Sequence, residues 1–299
     1  MWFKNLLVYR LNETKIKADD LEAALRDNAL QPCGGFEMET RGWLAPRGGD
    51  QFLHALQRQW LITFGANQKL LPGSIVTQEA KERAEKLAEK QEHPVGRKQM
   101  RDIRERVLEE LMPKALSRRR SLNTWIDPVN HWLVIDTAAD KKADELLESL
   151  LGLDLELAPK RLECQQSPSA QMTLWLNSGT VPAPFTIDQD LELKAAGDSR
   201  AVVRYVNHPL EGREIREHIA GGKTATRLGM TWKNRVSFVL TDQFQIKRVA
   251  FLDILKGETE SQAEDADEQF DIDFALMTGE LAALLDDLVK ALGGEKKTG

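Results

Sequence analysis

Two cysteines, two tyrosines and five histidines are all that this 299-residue chain holds of those types. Cys33 and Cys164 stand far apart and outside any Cys-x-x-Cys pattern, so neither a disulfide framework nor a zinc cluster has support, and two buried reduced thiols are expected. No apolar run approaches the ~18 to 20 residues that cross a bilayer. The opening MWFKNLLVYR offers only Leu6, Leu7 and Val8 in succession, too short for the apolar part of a secretory signal. Cytoplasm without a membrane anchor is the expected setting. Internal repeats are missing, and so is any nucleophile elbow around Ser, Cys or Thr.

Charge is present in both signs but unevenly placed. The formal net charge of -6 argues against a generic nucleic-acid binder, yet binding depends on where charge sits. Between Arg97 and Arg120 nine Lys/Arg face four Asp/Glu; between Arg200 and Arg248 ten face four; from Asp253 to Gly299 four face thirteen. The cations Lys114, Arg118, Arg119 and Arg120 follow one another with no acid among them.

Periodicity outlines the elements. WFKNLLVYR is an opening strand in which Leu6 and Val8 alternate against Asn5 and Leu7, and ADDLEAALRDNAL is a helix with Asp19 and Asp20 at its positive start. A strand is expected over Trp60–Leu71, closed by Pro72-Gly73. Composition shifts at Ser74, and TQEAKERAEKLAEKQEH (77–93) is helical with a thin apolar side (Ala80, Ala84, Leu87, Ala88), which suits a projecting helix. A second helix begins near Arg97, with Met100, Ile103, Val107 and Leu111 in one stripe, Arg97, Arg101 and Arg104 beside it, and Pro113 at its end. SLNTWIDPVNHWLVID is a hairpin by its Asp-Pro-x-Asn turn, and a helix over Ala139–Leu151 stops at Gly152. The Ser- and Pro-rich Cys164–Pro184 is a candidate boundary. A strand over Ala201–Val206, a helix over Glu211–Ala220 and a meander over Lys223–Trp232, Arg235–Leu240 and Ile246–Phe251 follow. GETESQAEDADEQ is read as a solvated acidic loop. Leu281, Leu284, Leu285, Leu288, Val289 and Leu292 mark a wide helical face before Gly293-Gly294. The fold class is α+β: mixed and antiparallel sheets with flanking helices.

Catalytic readings are weak. AGGKTAT has Glu217 where a phosphate loop needs its first glycine, and the order is helix then strand, so Gly221-Gly222 is better read as a helix stop. Asp127, His131 and Asp136 would form a metal site only if the turn and strand aimed them together, and their spacing opposes this. Asp271 and Asp273 near the C-terminus are the acids a metal-dependent nuclease would use, but no His or Lys accompanies them at a known spacing. No cofactor is called for. The basic stretch Arg97, Lys98, Arg101, Arg104, Lys114 and Arg118 to Arg120 has the spacing to follow a phosphate backbone; a solubilising arm is the plainer alternative. Trp125 and Trp132 are read as core rather than as stacking platforms.

WFKNLLVYRL, LMPKALSR leading to WIDPVN, HIAGGKTATRL and DFALMTGELAALL with ALGGE together resemble the recurring blocks of the RdgC family of recombination-associated proteins, from residue 2 to residue 295. That resemblance implies a non-enzymatic protein that binds double-stranded and also single-stranded DNA with little sequence preference. It implies a ring-shaped homodimer with a positive hole, association with the nucleoid, and antagonism of the RecA recombinase. It divides the chain into a central α+β domain (1–73 and 121–165), a helical tip (74–120) that projects, and a base α+β domain (166–299) with the C-terminal helix. Arg204, Arg213, Lys223, Arg227, Lys247 and Arg248 join the basic stretch as expected DNA contacts, and Leu281, Leu284, Leu285, Leu288 and Leu292 are a candidate dimer face. A metal-dependent nuclease and a scaffold that binds a recombination protein directly are the alternatives.

Overall fold

Residues 1–11, 16–195, 197, 201–252 and 265–296 are described in a computed structural model of the chain. Most of the acidic tract read as a solvated loop lies outside them. Twelve strands and seven helices occur among the described residues. The chain divides into two units: unit 1 holds residues 1–21, 53–62 and 123–299, and unit 2 holds 22–52 and 63–122.

Unit 1 is built on antiparallel pairing. β1 (Leu6–Arg10) lies between β6 (Trp132–Asp136) and β12 (Gln245–Phe251), with Leu6 opposite both Asp136 and Ile246. β5 (Ser117–Asp127) flanks β6; β11 (Val236–Thr241), β10 (Lys223–Trp232), β8 (Phe185–Ala195) and β9 (Val202–Tyr205) continue beyond β12 in that order. The short β7 (Lys160–Arg161) pairs with β1, and β3 (Leu53–Leu56) with β4 (Gln59–Lys69). The simple alternation expected for β1 is replaced by burial on both faces. Leu6 and Val8 enter the main core, while Tyr9 lies on the other side, where Arg161 reaches both its hydroxyl (3.1 Å) and Asp140 (3.3 Å) at the start of α4 (Asp140–Leu151).

The Asp-Pro turn holds as read. Asp127 is fully buried, and its Oδ1 accepts from the backbone N–H of Val129 and of Asn130, both at 2.9 Å. Trp125 and Trp132 are fully buried, as expected of core. His131 sits in the turn rather than on the strand, and Asp136 accepts from the N–H groups of Lys4 and Asn5, so both acids of the metal trio are spent on backbone.

The candidate boundary Cys164–Pro184 contains a helix that the sequence reading did not place there. It carries α5 (Pro168–Ser178), whose Met172, Trp175 and Leu176 are buried in the unit 1 core; the apolar content was there, but Ser and Pro at its flanks masked it. α6 (Arg213–Ala220) ends at Gly221 and Gly222, the latter at φ 84°, a helix stop with no phosphate loop.

The last helix, α7 (Ala266–Ala291), starts at Asp265, whose carboxylate caps the N–H groups of Asp267 and Glu268. Leu281, Leu284, Leu285, Leu288 and Leu292 are each 0% exposed and belong to the same core as Trp232, Phe238 and Ile246. This corrects the candidate dimer face: the five leucines fill the chain's own interior and offer no surface to a second copy. Each buried leucine contributes about 1.5 to 3 kcal/mol of transfer free energy, which outweighs its side-chain ordering cost of about 0.5 to 1 kcal/mol.

Unit 2 pairs β2 (Glu39–Leu44) antiparallel with β4, Trp43 opposite Phe64. Gly42 faces Gly65 in that register, and a Cβ at Gly42 would come within 2.6 Å of the Leu30 backbone, so the close crossing requires glycine. Two helices, α2 (Gly73–Gln91) and α3 (Arg97–Leu111), form a hairpin with a small core of Val76, Ala80 and Val107, as their thin stripes foretold. No helix among the described residues is long and apolar enough to cross a membrane.

Candidate nucleic-acid interface

In unit 2, the cations begin on α3. Its N-terminus is capped by the Gln99 side chain, which accepts from Gly96 N–H at 3.0 Å, and its inner stripe of Met100, Ile103, Val107 and Leu111 turns Arg97, Lys98, Arg101 and Arg104 outward. Arg83 of α2 ties the hairpin, reaching Glu79 and Glu110 at 2.8 Å each. The hydrogen bonds from Glu110 and Glu79 raise the Arg83 guanidinium above its ordinary value, and the Arg83 bond lowers the Glu110 carboxyl. Arg104 donates to Thr77 at 2.9 Å and Arg101 lies 3.5 Å from Glu105.

Past α3 a single 3-10 turn (Met112–Lys114) leads into β5. Lys69, only 6% exposed, donates to the carbonyls of Gly35 (3.0 Å) and Met112 (2.9 Å), anchoring that turn to the end of β4. β5 starts at Ser117, so Arg118, Arg119 and Arg120 occupy a strand and alternate between its faces. Arg119 meets Asn67 at 3.2 Å and Arg120 meets Gln68, two consecutive residues of β4. All three are exposed, but their side chains leave on two sides rather than one. Among the described residues, no carboxylate lies within ion-pair distance of Arg97, Lys98, Arg104, Lys114, Arg118, Arg119 or Arg120.

In unit 1, the structure gathers four expected residues, Arg204, Arg227, Lys247 and Arg248, around a cleft of about 270 Å³ that Leu191 and Val239 also line. Two irregularities in strand pairing make this possible. β10 shifts register between Ala225 and Arg227 against β8, so Thr226 is the extra residue and both it and Arg227 reach Glu192. β12 shifts against β11 between Ser237 and Val239, with Arg248 as its extra residue at φ 53°. Plain alternation would send Lys247 and Arg248 to opposite faces; the bulge places both at the cleft.

Acids share this cleft. Glu192 Oε2 accepts from Arg204 Nε at 2.6 Å, and its Oε1 accepts from Thr226 at 2.9 Å and lies 3.8 Å from Arg227. Asp190 lies 3.3 Å from Arg248 and accepts from Asn207 N–H. Burial alone would raise Glu192, but the bonds from Arg204 and Thr226 and the charge of Arg227 outweigh it and hold the carboxyl low. Asp188, four residues before Glu192, is raised by burial, with Thr231 opposing and Asp190 adding to the shift.

Two expected residues stay apart. Arg213 is 91% exposed on α6 and pairs with Glu217 at 2.9 Å. Lys223 shares the helix-side parity of Ala225 and bonds His218 at 3.2 Å, whereas Arg227 looks the other way. Sequence reading missed Glu192, Asp190 and Thr226. The signal was present in FTIDQDLELKA, whose period-two pattern Asp188, Asp190, Glu192, Lys194 against Leu191 and Leu193 describes a strand with one charged face.

Fold and surfaces together define a mixed α+β protein with a large antiparallel sheet and an arginine-rich surface in each unit. The profile described as "Putative exonuclease, RdgC" matches residues 1–295, and the chain belongs to the RdgC family. Proteins named recombination-associated protein RdgC are similar over the full length. That of Cupriavidus pinatubonensis is 49% identical over 298 residues, covering 99% of this chain and 100% of that protein. That of Bordetella parapertussis is 50% identical over 299 residues with the same coverage, and that of Dechloromonas aromatica is 48% identical over 299 residues, covering 99% and 98%.

Proposed function

We propose that this chain binds duplex DNA, and also single strands, through phosphate contacts without sequence preference. It acts as a ring-shaped homodimer at the nucleoid that restrains RecA-dependent recombination by occupying DNA. One observation carries the reading: within a chain of net charge -6, Arg97, Lys98, Arg104, Lys114 and Arg118 to Arg120 are exposed cations with no carboxylate within ion-pair distance among the described residues, and Arg101 alone of the expected contacts in that run pairs with an acid, Glu105. Unpaired, exposed cations are those that exchange condensed counterions for protein on a phosphate backbone. Family membership and the relatives' names support a role in recombination. With the C-terminal leucines buried, the two self-complementary patches a closed two-fold ring needs lie on other surfaces.

The test is affinity for a mixed-sequence duplex across a salt series. About six neutralised phosphates imply a loss near a thousandfold between about 50 and about 200 mM salt, and a flat dependence would sink the reading. Closure of the ring predicts retention on circular DNA and loss from linear ends under salt challenge.

The family description "Putative exonuclease" favours a second reading, a metal-dependent nuclease. Among the described residues no three His, Cys, Asp or Glu side chains group as metal ligands, and Asp273, one of the acids it would use, pairs with the Met1 amino group at 2.9 Å. Incubation of the protein with linear and circular plasmid and magnesium separates the two: the binding reading requires both DNAs to stay intact.

A further inference from the structure

The cations of the unit 1 cleft are the same residue types as those of unit 2, but three of its four are already matched. Arg204 and Arg227 flank the Glu192 carboxylate, and Arg248 faces Asp190; Lys247 has no carboxylate within ion-pair distance among the described residues. A guanidinium fork grips carboxylate and phosphate in the same planar manner. Glu192, 13% exposed and held from below by the bulged Thr226, therefore sits where a phosphate would be bound.

We propose that Glu192 and Asp190 are resident counter-anions that keep the phosphate-binding arginines of this cleft self-neutralised, so that DNA engages the cleft only by displacing them. The inference rests on the DNA-binding reading above. Its physical content is a competition. Arg204 and Arg248 stay exposed enough to swing away from their partners (67% and 74%), and exposed pairs of this kind are weak. A dense phosphate array outcompetes the carboxylates at low salt. As salt rises, counterion release weakens and the carboxylates retake the arginines first. Single anions lack that density and leave the cleft closed. The cleft is thus a releasable contact, distinct from the unmatched cations of unit 2, and Glu192 sets its threshold.

The experiment uses the full chain and fluorescence anisotropy on a labelled duplex over a salt series. Glu192→Gln keeps the shape and the Thr226 contact while removing the charge; Asp190→Asn does the same beside Arg248. Each is expected to bind about two- to fivefold more tightly near ~150 mM salt, the scale of one exposed ion pair. The salt slope should steepen by up to about one. Glu163→Gln removes an equal charge from the exposed pair with Lys296 and is expected to match the parent protein. Adding Arg204→Ala to Glu192→Gln should abolish the gain. Parent-like binding by both Glu192→Gln and Asp190→Asn would overturn the proposal, as would an equal gain in Glu163→Gln. An absence of DNA binding by the parent protein at every salt would instead overturn the reading on which it rests.

Discussion

Unit 2 and unit 1 use arginine in opposite company. Unit 2 carries 17 Lys/Arg against 14 Asp/Glu, net +3, which leaves -9 for unit 1 within the total of -6. In unit 2 the run from Arg97 to Arg120 has, among the described residues, only the Arg101–Glu105 ion pair, while in unit 1 strand register brings Glu192 and Asp190 against the cleft arginines. Their cores differ in the same sense: α2 and α3 share three buried side chains and a bridging Arg83, whereas α7 inserts a continuous row of leucines. Local charge counts therefore do not measure binding capacity; what matters is which side chains the ladder places next to one another.

The largest expected effect separates the two surfaces. Replacing Arg118, Arg119 and Arg120 together by Ala should flatten the salt slope by up to about three and weaken binding uniformly across sequences. The triple change of Arg204, Arg227 and Arg248 should flatten it by about one or less, because their charge is largely matched. Equal losses in the two anisotropy series would erase the contrast.

Next in size is the contrast between cores. Leu285→Ala in α7 should cost about 2 to 5 kcal/mol in urea unfolding, and Val107→Ala in the helical hairpin about 1 to 2. A smaller loss at Leu285 than at Val107 would mean that α7 is not the interior element its burial indicates.

The smallest effects lie along β8, where two neighbouring carboxyls respond to acid with opposite sign. Asp188 is raised by burial, so its ionisation costs stability: the penalty is absent below the ordinary value of 3.8 and grows as pH rises through the folded value. Asp188→Asn should raise Tm at pH 7 and match the parent near pH 3. Glu192 is lowered, so its contribution is present above 4.5 and is lost as pH falls through the folded value. Glu192→Gln should lower Tm slightly at pH 7, with the gap closing in acid. Thermal melts across pH that moved both variants in one direction would remove the distinction.

Much of this architecture was legible because period and punctuation agreed. α3 showed its stripe and its stop at Pro113, the β5–β6 turn showed Asp127, Pro128 and Asn130, and the β10–β12 meander and the Leu281–Leu292 part of α7 showed their apolar patterns, while the start of α7 at Ala266 was read as part of the acidic loop. α5 was hidden by the Ser and Pro around Trp175, and β8 by charges that looked like loop. The start of β5 was misplaced because Arg118 to Arg120 carry no apolar alternation; only the pairing of Asn67 and Gln68 with Arg119 and Arg120 reveals the strand. The cleft was legible as a set of cations but not as a site. Two bulges create it, and a bulge depends on how one strand slips against another, which no single segment records. The leucine face was legible as apolar and silent about its partner, since a helix stripe looks the same whether a sheet of its own chain or a second subunit covers it.

Arg248 carries a further implication through its backbone. At φ 53° it occupies a conformation that glycine or asparagine adopts more readily, so the fold tolerates a local penalty to keep a long cationic side chain at that spot. Conformational ease and charge can therefore be uncoupled there. Glycine would relax the main chain yet forfeit the guanidinium, valine would lose on both counts, and lysine would retain the cation while surrendering the Nη1 contact to Asp190. This one position converts a kink in the polypeptide into electrostatic reach, and its substitution series would show how the molecule trades rigidity against grip.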